Sequence, residues 1–258
     1  MSKIDYMTEN EVFKMFSVCK KPNTNTECMY DYVYRGFDIN DCLRSGDNSE
    51  KNAIDRLNRQ FVKITADRPF YLLRGMKNPL LRRLINGKLN DPAYCSTTIS
   101  KNIAERFVKT EWRGEQCCIL HIHFDPGSYD VLPICTILNN SGHKHEKEVL
   151  LPAGTKLEVI KNKVLLESIA KSMNYRKIAY PPEQYEGETP SKMPDYPIYI
   201  NHDDTFVIIM KLSKSSPRIS QSASTSGSTS RSTSRPKSGS TSRPKSAPTT
   251  RPKSSSKI

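Results

Sequence analysis

No stretch of this chain stays apolar long enough to cross a bilayer. A membrane-spanning helix needs about 20 consecutive apolar residues, so none is expected, and no membrane partner is expected either. There is no Cys-x-x-Cys pair, which argues against a zinc ribbon or finger, and no metal is expected. The opening, MSKIDYMTENEVFKMF, lacks the apolar core of an export signal, so action in the cytoplasm, of its own cell or of a host, is the expectation. The seven cysteines (Cys19, Cys28, Cys42, Cys95, Cys117, Cys118 and Cys135) are odd in number and read as reduced intracellular thiols.

Apolar residues are scarce in one place. Residues 213–258 hold Ser, Thr, Arg, Lys, Pro, Gly, Ala and one Gln around two isoleucines. Such a segment cannot bury enough surface to offset its chain entropy, so a disordered tail is predicted there. It also lacks acids. Ten of the 40 basic residues fall in it, whereas the remainder carries 30 basic against 27 acidic residues. The formal charge of +13 thus belongs mostly to a cationic arm, in which Arg-Pro-Lys-Ser recurs at Arg235, Arg243 and Arg251. The arm has the chemistry to bind nucleic acid or another polyanion through counterion release, or simply to keep the chain soluble. Phosphorylation of its serines would cancel its charge.

Residues 1–212 read as one globular domain, helical over about 1–66 and mixed over about 67–212. Glu9 to Val18 is predicted helical after a Thr8 or Asn10 cap. Tyr30 to Leu43 continues the helical part, and Lys51 to Ile64 places Ile54, Leu57, Phe61 and Ile64 at helical spacing. Strand-like runs begin at Phe70. Leu80 to Ile85 is predicted as a short helix. Residues 93–100 are read as a strand running into a turn, and Ser100 to Thr110 as a helix with Ile103, Ala104, Phe107 and Val108 on one face. Cys117 to Phe124 alternates with period two, and 128–134, 146–154, 156–162 and 205–213 complete the strands. A Pro-rich loop spans 181–197.

Three short motifs stand in order: Tyr71-Leu72-Leu73-Arg74-Gly75-Met76, then Ser96-Thr97-Thr98, then Glu146-Lys147-Glu148 before Val149-Leu150-Leu151-Pro152. Arg74 can bind pyrophosphate oxygens with both arms of its guanidinium. A surface arginine at a strand end would look the same. Tyr34-Arg35-Gly36 offers a second arginine of this kind, far upstream of Ser96. Gly75 allows close approach of a flat ring to the backbone. Ser96 and Thr98 share one strand face; such hydroxyls can orient a carboxylate or cap the next helix. Glu146 and Glu148, two apart on a strand, would face one way, which a structural strand avoids unless a site needs it. A solvated charged edge is the plainer alternative.

The ordered trio resembles the R-S-E class of mono-ADP-ribosyltransferases, over roughly Tyr30 to Leu212. The resemblance implies an α+β fold of two packed, mostly antiparallel sheets with N-terminal helices, and NAD in the cleft between them as substrate. It implies NAD-binding roles for Arg74, Gly75, Ser96 and Glu148. Glu148 would stabilise the oxocarbenium-like centre and hold the ribose 2′-hydroxyl, with Ser96 orienting it. Arg74 is preferred over Arg35 because in the family this arginine directly precedes the Ser-Thr-Ser segment. Glu146 would contact the nucleophile, and Glu-x-Glu in the family goes with arginine acceptors on proteins. The family's stretch before the glutamates often presents an aromatic residue; here, between Cys135 and His145, it offers Asn139, Asn140, His143 and His145. Two other readings stay open: an NAD glycohydrolase with no protein acceptor, and an inactive scaffold that binds nucleic acid through its tail. His121 and His123 are expected to be surface or satisfied residues, and Trp112 is left without a role.

Overall fold

The computed structural model of the chain describes residues 2–19, 26–77, 84–110, 117–138, 147–177, 197–202 and 205–213. All of these lie in one compact unit, Met1–Ser220; a second unit, Gln221–Ile258, lies outside the described residues. So do nearly all of the basic tail and most of the Pro-rich loop.

Three helices open the chain. Helix α1 (Glu9–Val18) starts at Thr8, whose hydroxyl accepts from the Glu11 N–H while the Glu11 carboxylate accepts from the Thr8 N–H. This reciprocal box satisfies donors that a helix start leaves open, and it makes Thr8 the cap. Helix α2 (Glu27–Ser45) stops at Gly46, whose left-handed φ of 75° costs glycine no Cβ clash. Helix α3 (Lys51–Asn58) is shorter than the predicted helix to Ile64. From Val62 the burial pattern switches to alternation, and strand β1 (Val62–Ala66) pairs antiparallel with β7 (Gly127–Val131). Pairing and β-branched residues override the helical spacing of Phe61 and Ile64, so residues 1–66 are not wholly helical.

The main sheet runs through β3 (Leu84–Ile85), β4 (Lys88–Asn90), β9 (Lys156–Val159), β12 (Phe206–Leu212), β6 (Cys117–Phe124), β2 (Phe70–Lys77), β5 (Cys95–Thr98) and β8 (Glu148–Leu151), in that order. Strands β10 (Arg176–Lys177) and β11 (Tyr199–Ile200) attach through β12. Only β12 and β6 pair in parallel among these strands. The helix predicted at Leu80–Ile85 is corrected at its end. Leu84 and Ile85 form a hairpin with β4 across Asn86 (φ 51°) and Gly87 (φ 70°), the Asn-Gly pair that a tight hairpin turn favours.

The sheet narrows between β2 and β5, which share one residue pair, Leu73 with Thr98. On one side stands the block from β3 to β2. On the other stand β5 and β8, joined to β7 and β1 by the bridge Leu132 to Leu150. Phe70, Leu72, Leu120 and Ile122 from the first block share a core with Ile64, Cys95, Val149 and Leu151 from the second. The fold is therefore α+β, with two packed and mostly antiparallel layers of strands and the opening helices beside them. Burying side chains of this size stabilises by roughly 1.5–3 kcal/mol each.

Helices cover the outer faces. On the first block, α4 (Lys101–Thr110) and α6 (Lys163–Met173) pack Ala104, Leu166 and Ile169 against Leu73 and Ile119. On the second, α2 and α3 pack Met29, Tyr32 and Leu57 with Tyr94, Leu132 and Leu150. Helix α6 was not predicted, although Leu166, Ile169, Ala170 and Met173 carry its spacing. Asn162 caps it by accepting from the Leu165 N–H, and left-handed Asn174 ends it. A one-turn helix, α5 (Ile134–Ile137), follows β7. No helix among the described residues is long and apolar enough to cross a membrane.

Candidate active site

The narrow join between β2 and β5 is where the motif residues meet. Strand β2 carries Arg74 one position beyond Leu73, the residue paired with Thr98. Strand β5 pairs antiparallel with β8, setting Thr98 opposite Glu148 and Ser96 opposite Leu150. Ser96 is thus diagonal to Glu148 on the same face, a distance that a long side chain spans. The Ser96 hydroxyl donates to Glu148 Oε1 at 2.5 Å. A short bond to a charged acceptor is among the stronger kinds, and it restricts the carboxylate to one orientation.

Arg74, Ser96 and Glu148 line one cleft with Leu73, Gly75, Thr97, Thr98, Ala104 and Phe107. Its volume is about 170 Å³, below the ~300–1,000 Å³ of an ordinary small-molecule site. It has room for one end of an extended ligand. Glu148, Ser96 and Arg74 are all partly exposed there, and Leu73, Thr97, Thr98 and Ala104 around them are buried.

Ser96 and Thr98, on one face of β5, divide their work. Thr98 accepts from the Ser100 N–H at the entry to α4, so it serves the turn, while Ser96 serves the carboxylate. Thr97 points the other way and donates to the Val149 carbonyl at 2.6 Å, binding β5 to β8. Gly75 is close-packed, but against α4: a Cβ there would meet Val108 at 3.3 Å, Phe107 at 3.4 Å and the Ala104 carbonyl at 3.5 Å. The lack of a side chain lets α4 lie on β2 and bring Ala104 and Phe107 to the cleft.

Several neighbours register the charges of the site. Burial first, and then the Glu148 carboxylate, push the Cys135 thiol up to about 12. The same two causes, in the same order, raise the hydroxyl of buried Tyr32 above its ordinary value. Burial works against the charge of Arg74, but Cys95, Tyr32 and Asp91 around it hold its guanidinium above the usual arginine value. The cleft wall therefore carries both a permanent cation and a carboxylate.

Glu146 lies outside the described residues, as do Trp112, Asn139, Asn140, His143 and His145. The strand spacing assumed for Glu146 and Glu148 is corrected. Strand β8 begins at Glu148, and Lys147 has a left-handed φ of 47°, so alternation does not run back through Lys147 to Glu146. The Lys147 ammonium pairs instead with Glu9 of α1. Arg35, the other arginine of its kind, sits at a non-helical point inside α2 and pairs with Glu50. It is not among the residues that line the cleft.

Helix α2 contributes residues that the motifs did not single out. Tyr32, Gly36, Asn40 and Arg44 follow one another at spacing four, one stripe of the helix. The Tyr32 ring lies against Gly36, where a Cβ would be 3.4 Å from it. Asn40 donates to the Tyr32 hydroxyl at 3.2 Å and accepts from the Tyr94 N–H at 3.1 Å. Arg44 binds both oxygens of Asp91 at 3.1 Å. The stripe thus grips the segment Asp91–Tyr94 that leads into Ser96. Its periodicity was visible, but its partners are roughly fifty positions away in sequence.

His121 and His123 are buried on β6, not solvent-facing. His121 stacks on Tyr71 at 4.9 Å, and its Nδ1 meets the Tyr175 hydroxyl at 3.3 Å. His123 lies between the Tyr6 hydroxyl at 2.8 Å and Asp125 at 3.1 Å. No group of three or more His, Cys, Asp or Glu side chains among the described residues is arranged to hold a metal ion. None of the seven cysteines is joined in a disulfide.

No family model matches the sequence, and no curated protein matches it. Among solved structures, the chain is similar to Plx2a, an ADP-ribosyltransferase toxin from Paenibacillus larvae. The TM-score is 0.46 and the identity 14%, over 81% of this chain and 99% of that one. It is also similar to the C3 exoenzyme of Clostridium limosum, with TM-score 0.47 and 12% identity over 83% and 98% of the two chains. For the Vis toxin, an ADP-ribosyltransferase from Vibrio splendidus, the values are 0.44 and 16% over 80% and 85%.

Proposed function

We propose that this chain is an ADP-ribosyltransferase that splits the nicotinamide–ribose bond of NAD and transfers ADP-ribose to an arginine side chain of a protein. The observation that carries the proposal is the bond from Ser96 to Glu148 at the wall of a cleft that Arg74 also lines. Loss of nicotinamide leaves positive charge on the sugar, and a fixed carboxylate stabilises that charge as it develops. Ser96 prepays the orientation of Glu148. Arg74 supplies a lasting positive charge for the pyrophosphate. The cleft admits one end of such a dinucleotide.

Arginine as acceptor follows from Glu146. A protonated guanidinium is a poor nucleophile; a carboxylate beside it orients it and accepts the proton released when nitrogen bonds to the sugar carbon. Nicotinamide release from NAD by the whole chain tests the first step. Glu148→Ala is expected to abolish it, and Ser96→Ala to reduce it while NAD still binds. No release by the unaltered protein would end the proposal. Glu146→Gln separates the acceptor step: labelling of protein arginine should be lost while NAD hydrolysis persists. If arginine labelling survives that change, the acceptor assignment is wrong.

A further inference from the structure

Tyr94 stands two residues before Ser96 and is fully buried. Its hydroxyl donates to Asn58 Oδ1 at 2.7 Å, with the Ile54 carbonyl a second acceptor at 3.3 Å. Both acceptors belong to the last turn of α3. The Tyr94 N–H donates to Asn40 Oδ1 of α2 at 3.1 Å. The ring stacks on Phe61, with centroids 5.9 Å apart, and meets Tyr32 edge to face at 5.7 Å. Backbone, ring and hydroxyl are thus each fixed to the helical layer.

That layer continues into the cleft. Leu150 packs with Tyr94, Tyr32 and Leu57 beneath α2 and α3. In the ladder of β5 and β8, Ser96 lies opposite Leu150, and Glu148 is two positions from Leu150 along β8. Paired and alternate residues of a ladder share a face, so Ser96 and Glu148 extend the face on which Tyr94 is packed. Strand β8 is held on its far side through Leu132 and Leu150. Strand β5 has less: among the described residues β2 pairs with it at Thr98 alone, and it enters the ladder directly from Tyr94. We propose that Tyr94 is a positioning residue that fixes the start of β5 to α3 through its hydroxyl and so holds the Ser96 hydroxyl at bonding distance from Glu148. This rests on the reading of Glu148 as the catalytic carboxylate made under the proposed function.

A hydrogen bond donated to a carboxylate favours its charged form and restricts its orientation. Loosening Tyr94 from α3 therefore acts on Glu148 through Ser96. Tyr94→Phe keeps the ring and its packing but removes the hydroxyl. Nicotinamide release should slow, because a small misplacement of a group that acts on the reacting atoms is costly. Binding of the pyrophosphate, which falls to Arg74, should change little. In a chain that already lacks the Ser96 hydroxyl, the same change should do nothing further. A residue that served only stability would slow both backgrounds alike.

The experiment compares the unaltered chain with Tyr94→Phe, Ser96→Ala and the double variant. KM and kcat for nicotinamide release are measured, and the Glu148 carboxylate is titrated by carbon NMR in each protein. Tyr94→Phe should lower kcat roughly three- to tenfold with KM nearly unchanged. The double variant should match Ser96→Ala. In the titration, Ser96→Ala should shift Glu148 upward, Tyr94→Phe should shift it upward by less, and the double variant should equal Ser96→Ala. If Tyr94→Phe does not fold, Asn58→Ala removes the same bond and should give the same loss, whereas Asn58→Asp, which keeps an acceptor, should hold kcat near that of the unaltered chain. An unchanged Glu148 titration in Tyr94→Phe, or a double variant slower than Ser96→Ala by the full Tyr94→Phe factor, overturns the inference. An unaltered chain that releases no nicotinamide sinks the transferase proposal alone, and the titrations then decide this inference.

Discussion

Strand β2 serves two polar regions of opposite character. Arg74 lines the cleft with Ser96 and Glu148. Tyr71, on the alternate face, joins Tyr6, His121, His123 and Tyr175 in a buried cluster beneath the N-terminal segment. The cleft groups are partly open to solvent, and the Arg74 guanidinium among them stays charged. The cluster groups are held neutral: burial, and then the neighbouring His123, lower the His121 pKa to about 3, and burial raises the hydroxyls of Tyr6 and Tyr175. A polar group kept charged at an opening has something to bind. Polar groups kept neutral and turned on one another contribute to the fold. The same strand does both because successive side chains alternate.

The largest expected effect lies in the cleft. Glu148→Ala should lower the rate of nicotinamide release by about 10²–10³-fold, the scale for removing one preorganised electrostatic group. Its unfolding temperature should hardly move, since the carboxylate is partly exposed. A large loss of stability with activity intact would reverse the contrast between the two regions.

Next comes the core that both regions share. Phe70 is fully buried and stacks on Phe124 at 4.5 Å. Phe70→Ala should cost about 3–5 kcal/mol in chemical unfolding. A cost below about 1 kcal/mol would mean that the two strand blocks do not pack through this ring.

The cluster makes a prediction about pH. His121 is depressed in the folded state, so the unfolded chain binds its proton more readily. Its contribution to stability is complete above pH 6.5 and is lost as pH falls toward about 3. His123 is also lowered, chiefly by burial, and adds in the same direction. Resistance to thermal unfolding should therefore fall as pH drops from 6.5 to 5, where the carboxylates are still ionised. His121→Phe should flatten that slope and leave nicotinamide release unchanged at pH 7.5. An unchanged slope would mean that His121 is not buried in its neutral form.

The smallest effect concerns the contact between β2 and α4. Gly75→Ala places a methyl 3.3–3.5 Å from Val108, Phe107 and the Ala104 carbonyl. The helix must give by a few tenths of an ångström, at a cost of about 1 kcal/mol. Because Ala104 and Phe107 line the cleft, KM should rise modestly as well. A stability loss without any kinetic change would place that helix outside the site.

Much of the architecture was legible where local pattern and tertiary need agree. The cap at Thr8, the face of Ile103, Ala104 and Phe107, and the alternating run at Cys118 to Phe124 appear in α1, α4 and β6. The exceptions have physical causes. Phe61 and Ile64 suit either period, and pairing with β7 chose the strand. The Asn86-Gly87 turn is a strong hairpin signal, but the strands that it joins are only two and three residues long.

By itself the sequence determined a mixed α and β domain, an acid-free basic tail segment, and an ordered set of an arginine, a serine and a glutamate as candidates for one site. Those properties depend on residue type and near-neighbour spacing, which a chain displays before it folds. Only the tertiary structure decided that Ser96 reaches Glu148, that α4 packs against Gly75, and that Arg44 holds Asp91. It also decided that β8 begins at Glu148, with Lys147 in a left-handed conformation ahead of it. These are contacts between distant segments or backbone angles set by packing, and no local period encodes them.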